Sequence, residues 1–190
     1  MERSKVEEKL KENLKPSRYT HTLGVAYTAA CLAMRYGEDM ERAYMAGLLH
    51  DCAKCFNLEE THELCHRYGI SLDGILGRSP QLIHQELGPY IARDWYEMDD
   101  AGILSAIRYH TTGTPNMSLL EQIIFVADYM EPNRRMIPGL PEIRKLAFVD
   151  LNQCTTKVLA NTISYLETEG GEICQDTIDT YNYYKEKETL

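Results

Sequence analysis

The stretch SLLEQIIFVADYMEPNR, residues 118–134, carries a helix start, an apolar stripe, an acid on that stripe and a stop. Ser118 followed three residues later by Glu121 forms a capping box, in which each side chain satisfies a backbone N–H that the first helical turn leaves free. Leu120, Ile124 and Asp128 then recur at four-residue intervals and share one helical face, before Pro132 ends the pattern. A helix with an apolar face therefore ends that face in a carboxylate. Burying a carboxylate is costly unless it is paired or ligated, so Asp128 requires a partner from another segment.

The rest of the chain supplies only helices as sources of that partner. Val6, Leu10 and Leu14 form one stripe before Pro16, a second helix runs from Ser17 to Tyr36 and stops at Gly37, and Asp39 caps a third that reaches about Asp51. Asn57 with Glu60 makes a second capping box for a helix over 58–68, which Gly69 ends, and Ser79-Pro80 marks the next boundary. Asp100 starts a helix through His110. Asp150 opens one carrying Leu151, Val158, Leu159 and Leu166 to Gly170-Gly171, and Ile178–Lys185 closes the chain. No fixed-period repeat, low-complexity linker or alternating strand pattern interrupts this order. The expected fold class is all-α, with a single domain whose core covers about 17–135 and whose C-terminal helices, about 140–186, pack on it.

Composition narrows the function. At 190 residues with 44% hydrophobic content, the chain can bury one sizeable core. The N-terminal MERSKVEEKLKENLK has no apolar centre and the run IIFVA at 123–127 is too short to span a bilayer, so no membrane partner is expected. Six dispersed cysteines read as reduced thiols in a cytoplasmic protein. A formal net charge of −9 argues against a nucleic-acid partner, which needs a basic face. A small phosphorylated substrate remains compatible if cations gather locally.

Two short motifs are decoys. THELCH, residues 61–66, places His62, Glu63 and His66 in the H-E-x-x-H order of zinc proteases. No further histidine follows at the extended spacing, and a strandless chain lacks an edge on which to align a peptide. The simpler reading is a capped amphipathic helix with Leu58, Leu64, Cys65 and Tyr68 on its apolar arc and the two histidines along its border. Cys52-Ala53-Lys54-Cys55 is a C-x-x-C, but it has neither a thioredoxin-like βαβ setting nor a second ligand pair, and reads as two packed thiols.

A dispersed constellation carries more weight. His21 shares a stripe with Val25, Ala29 and Leu32; His50 and Asp51 end an apolar helix; His110 shares a stripe with Ile103 and Ile107; His84 precedes Leu87 and Ile91 by helical steps. Any one of these histidines alone is more often a satisfied core or surface residue. Six inward-pointing imidazoles and carboxylates, Asp128 included, call for a common partner. A borderline or moderately hard ion such as iron, manganese, cobalt or zinc meets that demand.

The ordered set His21, His50-Asp51, Asp128 resembles the H…HD…D signature of the HD-domain metal-dependent phosphohydrolases. RYTHTLGV (18–25), LLHDCAK (48–54), IRYHTTG (107–113) and FVADYMEPNR (125–134) are similar to the YqeK-like bacterial symmetrical diadenosine tetraphosphate hydrolases, over about residues 3–184. The resemblance implies a helical HD fold, iron as the metal, a homodimer, and cleavage of diadenosine tetraphosphate into two ADP. It carries over His21, His50, Asp51 and Asp128 as metal ligands. Arg18, Cys52, Ala53, Lys54, His84, His110, Thr111 and Arg134 then surround the nucleotide phosphates, with Asp51, Lys54, His84 and His110 in catalytic roles. Ile173, Cys174, Gln175, Asp176, Thr177 and Ile178 match a segment that closes over the nucleotide, although Cys174-Gln175 stands where a His-Pro pair is expected.

The chemistry agrees with this reading. A metal with four protein ligands keeps positions for water and a phosphate oxygen, lowers the pKa of that water and polarises the phosphorus centre. Asp51, ligated through one oxygen, orients the water through the other, while Lys54, Arg134 and Arg18 or Arg108 neutralise charge on the phosphates. His84 and His110 either ligate a second metal or donate hydrogen bonds to phosphate and assist the leaving group. Two alternatives stand beside this expectation: an HD phosphohydrolase of another nucleotide (a deoxynucleotide monophosphate, a triphosphate or a cyclic nucleotide), and a non-catalytic nucleotide sensor.

Overall fold

The computed structural model describes residues 1–74 and 79–188, and these contain ten α-helices and two 3-10 turns with no strand. The helices are α1 (Arg3–Asn13), α2 (Pro16–Tyr36), α3 (Met40–Leu49), α4 (Leu58–Tyr68), α5 (Ile83–Tyr96), α6 (Ala101–Tyr109), α7 (Leu119–Met130), α8 (Leu140–Leu146), α9 (Leu151–Glu169) and α10 (Gln175–Lys187). The 3-10 turns are Cys52–Cys55 and Pro80–Leu82.

Five of the ten described helices begin where a polar side chain takes up free amides. Both capping boxes form, Asn57 with Glu60 at α4 and Ser118 with Glu121 at α7. Asp39 accepts from Arg42 N, and Asp150 accepts from Gln153 N. One apolar cluster runs through the bundle from Val6 on α1 to Tyr184 on α10. Gly47 lets α2 and α3 close together: a Cβ there would lie 2.7 Å from Ala26 Cα, and backbone on both sides gives no relief. That contact holds the end of α3, where His50 and Asp51 sit, against the helix that carries His21.

Some elements depart from the pattern read in the sequence. The third helix ends at Leu49 with His50 as its C-cap, and Asp51 opens the Cys52–Cys55 turn. The last helix starts at Gln175 rather than Ile178, because Cys174 takes the extended N-cap conformation. Two helices gave little signal. α5 contains Pro89, which removes one backbone donor, yet Leu87 and Ile91 around it are fully buried, and that packing outweighs the loss. α8 is short, with Leu140 and Ile143 buried and a proline in its first turn.

Leu58 corrects the reading of α4. It was expected on the apolar arc, but it is 59% exposed in the first turn, and only Leu64 and Cys65 are buried. His62, Glu63 and His66 are all exposed, so the H-E-x-x-H order lies on a solvated face.

Asp100 does two jobs at the start of α6. It accepts from Gly102 N and Ile103 N, and it takes a two-pronged contact from Arg42 Nε and Nη2 at 2.8 Å each, which ties α3 to α6. The Arg42 hydrogen bonds hold its carboxyl down at about 2. A folded-state pKa below the unfolded value means that the stabilisation is complete above about pH 4 and is lost as pH falls through 2. The pair is partly exposed, so solvent screening limits its worth. Asp100→Ala is expected to cost about 1–2 kcal/mol at pH 7, cap and ion pair together, in a denaturant melt. The gap to wild type should narrow in melts repeated toward pH 2.

Candidate metal centre

Six side chains from five segments converge at the centre of the bundle: His21 from α2, His50 and Asp51 from the end of α3, His84 from α5, His110 at the end of α6, and Asp128 from α7. His50, Asp51 and His110 are at most 2% exposed, His84 and His21 are buried, and Asp128 is partly buried. Their ligand atoms fall into overlapping groups, each within 4.8 Å: His21 with His50 and Asp51, His50 with His110 and Asp128, and Asp51 with His84 and His110.

Asp51 is the hub. Its Oδ2 lies 3.3 Å from His50 Nε2 and 3.8 Å from His21 Nε2, and its Oδ1 lies 3.4 Å from His84 Nε2 and 3.5 Å from His110 Nε2. Asp128 Oδ1 stands 3.0 Å from His21 Nε2 and 3.8 Å from His50 Nε2.

The imidazoles are oriented from behind. Nδ1 of His50, His84 and His110 each lies 2.7 Å from a backbone carbonyl oxygen, of Gly47, Gln81 and Ile107 respectively. A carbonyl only accepts, so each Nδ1 carries the hydrogen and each Nε2 presents a lone pair to the centre. His84 Nε2 and His110 Nε2 therefore face each other 3.0 Å apart, an arrangement that needs a proton or a cation between or beside them. His50 Nε2 is buried and makes no hydrogen bond; nor does His21 Nε2, despite Asp128 nearby. Buried lone pairs without donors, set among two carboxylates, are the coordination environment of a divalent metal ion, and the residues present fit one.

The electrostatics point the same way. Burial disfavours charge on Asp51, but His50, His110 and Lys54 overcome it and hold the carboxyl well below its usual range. Burial likewise opposes ionisation of Asp128, and the His21 ring 3.0 Å away, with His50 and Arg134 beside it, outweighs that, so that this acid too is ionised. Burial lowers His50, and burial with Lys54 beside it pushes His84 well down, so both stay neutral as metal ligands must. His21 loses to burial but gains more from Asp128 and then Glu131, and is raised. A ring between two carboxylates attracts a cation of either kind, proton or metal.

Three cations border the centre. Arg18 Nη1 is 2.7 Å from Asp51 Oδ2, Lys54 Nζ is 2.9 Å from Asp51 Oδ1, and Arg134 Nη2 is 3.0 Å from Asp128 Oδ1. All three are partly exposed, so each can also meet an anion arriving from solvent. Arg108 does not join them, because it pairs with Glu86. Thr111 Oγ1 lies 3.3 Å from His84 Nε2 and can donate to it. Cys52 and Ala53 are buried beside Asp51; the Cys52 thiol donates to Gly88 O, and burial pushes it far above its ordinary value. Burial raises Cys55 to about 11. Both therefore stay protonated and are poor nucleophiles.

Ile173, Cys174, Gln175, Asp176, Thr177 and Ile178 form the entry and first turn of α10, with Thr177 buried. The next turn of α10 meets the loop after His110: a Cβ on Gly113 would come within 2.8 Å of Thr180.

Glu131 is a member of the site that the sequence did not disclose. It is 1% exposed; its Oε1 accepts from His21 Nδ1 at 3.0 Å and its Oε2 accepts from Asn133 N at 2.6 Å. Gly24 makes room for it, since a Cβ there would stand 2.2 Å from Glu131 Oε2. The available signal was the spacing Asp128-x-x-Glu131, one helical turn.

Comparison with known proteins agrees with this geometry. The HD-domain model matches residues 18–133. The chain is 43% identical to the symmetrical bis(5'-nucleosyl)-tetraphosphatase of Halalkalibacterium halodurans over 182 residues, 96% of each chain. It is 42% identical to the Bacillus subtilis protein of the same name, covering 92% of each. A crystal structure from Clostridium acetobutylicum, described as a predicted HD superfamily hydrolase involved in NAD metabolism, superposes with a TM-score of 0.93 at 42% identity and covers 98% of both chains. The chain belongs to the HD-domain family, within the group of the symmetrical bis(5'-nucleosyl)-tetraphosphatases.

Proposed function

We propose that this protein hydrolyses diadenosine tetraphosphate symmetrically to two ADP, with iron held by His21, His50, Asp51 and Asp128. The observation that carries the reading is Asp51: one buried carboxylate contacts four inward-facing imidazoles and two partly exposed cations. A bound metal supplies Lewis acidity, both to polarise a phosphoryl oxygen and to make water acidic enough to attack near neutral pH.

The chain's own residues do the rest. Lys54, Arg18 and Arg134 bind the phosphate oxygens and neutralise charge as the P–O bond breaks, which is the main requirement of phosphoryl transfer. Asp51 Oδ1 holds the attacking water in line. Thr111 and the first turn of α10, Ile173–Ile178, close on one nucleotide, and Cys52 and Ala53 present their backbone at its phosphates. His84 and His110 stand over the same Asp51 oxygen as Lys54 and serve the bond-breaking step, as ligands of a second ion or, with the proton that their facing Nε2 atoms call for, as a donor to phosphate. Among the described residues no helix is long and apolar enough to cross a membrane, and all six cysteines are free, which suits a cytoplasmic protein acting on a free nucleotide. Exposed Tyr27, Met34, Phe148 and Val149 offer apolar surface for the homodimer that the family likeness implies.

Iron-loaded protein incubated anaerobically with diadenosine tetraphosphate should yield ADP alone by chromatography. ATP with AMP would reject the symmetrical cut, and tight binding without turnover would favour a sensor. Metal counting on His84→Ala and His110→Ala separates the two roles of that pair: a fall from two ions to one per chain in each variant supports the second metal, and one ion in wild type and both variants assigns them to phosphate.

A further inference from the structure

A cleft of about 470 Å³ opens beside the metal centre, between the Cys52–Cys55 turn, the first turn of α4 and the Pro80–Ile83 segment. Its inner end is made by Arg18, Lys54 and His84, and its outer walls include Phe56, Leu58 and Thr61. Two features mark it as built for a ligand with a charged and an apolar end. Among the described residues, its lining holds two cations and no carboxylate, in a chain of net charge −9. Its outer wall keeps apolar surface in solvent: Leu58 is 59% exposed, and the Phe56 ring is fixed edge-to-face on Trp95 at 5.0 Å. The volume falls within the range of about 300–1,000 Å³ usual for small-molecule sites.

We propose that this cleft receives the second nucleoside of the dinucleotide, its base against Phe56 and Leu58 and its phosphates against Arg18 and Lys54. The inference rests on the hydrolase reading above and extends it. A symmetrical dinucleotide cut at its centre places one nucleoside on each side of the cut, so the site needs two nucleoside positions. The first turn of α10 and the Thr111–Gly113 loop serve one of them, and none of the cleft's lining residues belongs to either segment. An aromatic ring and an aliphatic side chain at the outer wall suit the flat face of a base, whereas the cations at the inner end suit phosphates.

Steady-state kinetics on diadenosine tetraphosphate with Leu58→Glu and Thr61→Trp test this. Leu58 is exposed and Thr61 lies on the surface turn of α4, so neither substitution disturbs the core. Each variant should raise KM by about tenfold or more, the scale of losing or blocking one apolar contact in a pocket, with kcat and bound metal within about twofold of wild type. Unchanged KM in both variants, with wild type active, would remove the cleft and leave the hydrolase reading standing. A fall in kcat at unchanged KM would also overturn the proposal, because it would assign the segment to chemistry rather than to binding. No turnover by wild type would remove both.

Discussion

Asp51→Asn is expected to lower turnover by about a thousandfold or more and to leave the purified protein largely free of metal. The substitution keeps the shape of the side chain and removes what the site uses. The carboxylate is 1% exposed and stands within 3.8 Å of four imidazole nitrogens, with Arg18 and Lys54 on its two oxygens. Asparagine presents one oxygen and an NH₂ that donates. Its hydrogens would satisfy the lone pairs of one histidine pair and so compete with a metal for them, while the other pair would lose its anionic partner. The two cations would also lose their anchor and spread toward solvent. Metal content and turnover measured on the same preparation check the prediction. An asparagine variant that keeps its metal and works within tenfold of wild type would sink the role of Asp51 as hub.

Asp51 also shows why so much of this site could be read from sequence. A polar residue that interrupts an apolar stripe is visible without a structure, and His21, Asp128 and His110 each do so, on helices whose starts are marked by Pro16, Ser118 and Asp100 respectively. The capping boxes at Asn57 and Ser118 were readable for the same reason, because the groups that satisfy each other lie three residues apart.

What escaped depends on parts of the chain that meet only in the fold. Leu58 obeys the periodicity of α4 but sits in its first turn, beyond the reach of the core, and is exposed. Arg108 is a cation next to the site in sequence whose guanidinium is taken by Glu86 on another helix. The helix around Pro89 was obscured by a residue that normally ends helices. Glu131 was least legible of all, because it lies beyond α7 and is buried only because Gly24, on α2, leaves it space.

That dependence gives the second large prediction. Glu131→Ala is expected to weaken metal affinity by about 10–100-fold, the usual scale for removing the partner that orients a metal-binding histidine. Glu131 accepts from His21 Nδ1, which fixes the ring with Nε2 toward Asp128. Gly24→Ala should reach the same result from the other side. Its Cβ would stand 2.2 Å from Glu131 Oε2, and the side chain cannot swing away freely, because Oε2 is held by Asn133 N and Oε1 by His21. Moving it breaks one of those contacts. The two substitutions should therefore not add: once Glu131 is alanine, the close neighbour left beside a Cβ at Gly24 is the side-chain amide of exposed Asn133 at 3.0 Å, which can shift toward solvent, and Gly24→Ala should cost little more. Metal titrations of wild type, both single variants and the double variant measure this directly. Additive losses would show that Gly24 and Glu131 act on the centre by separate routes, and that the glycine is not there to make room for the carboxylate.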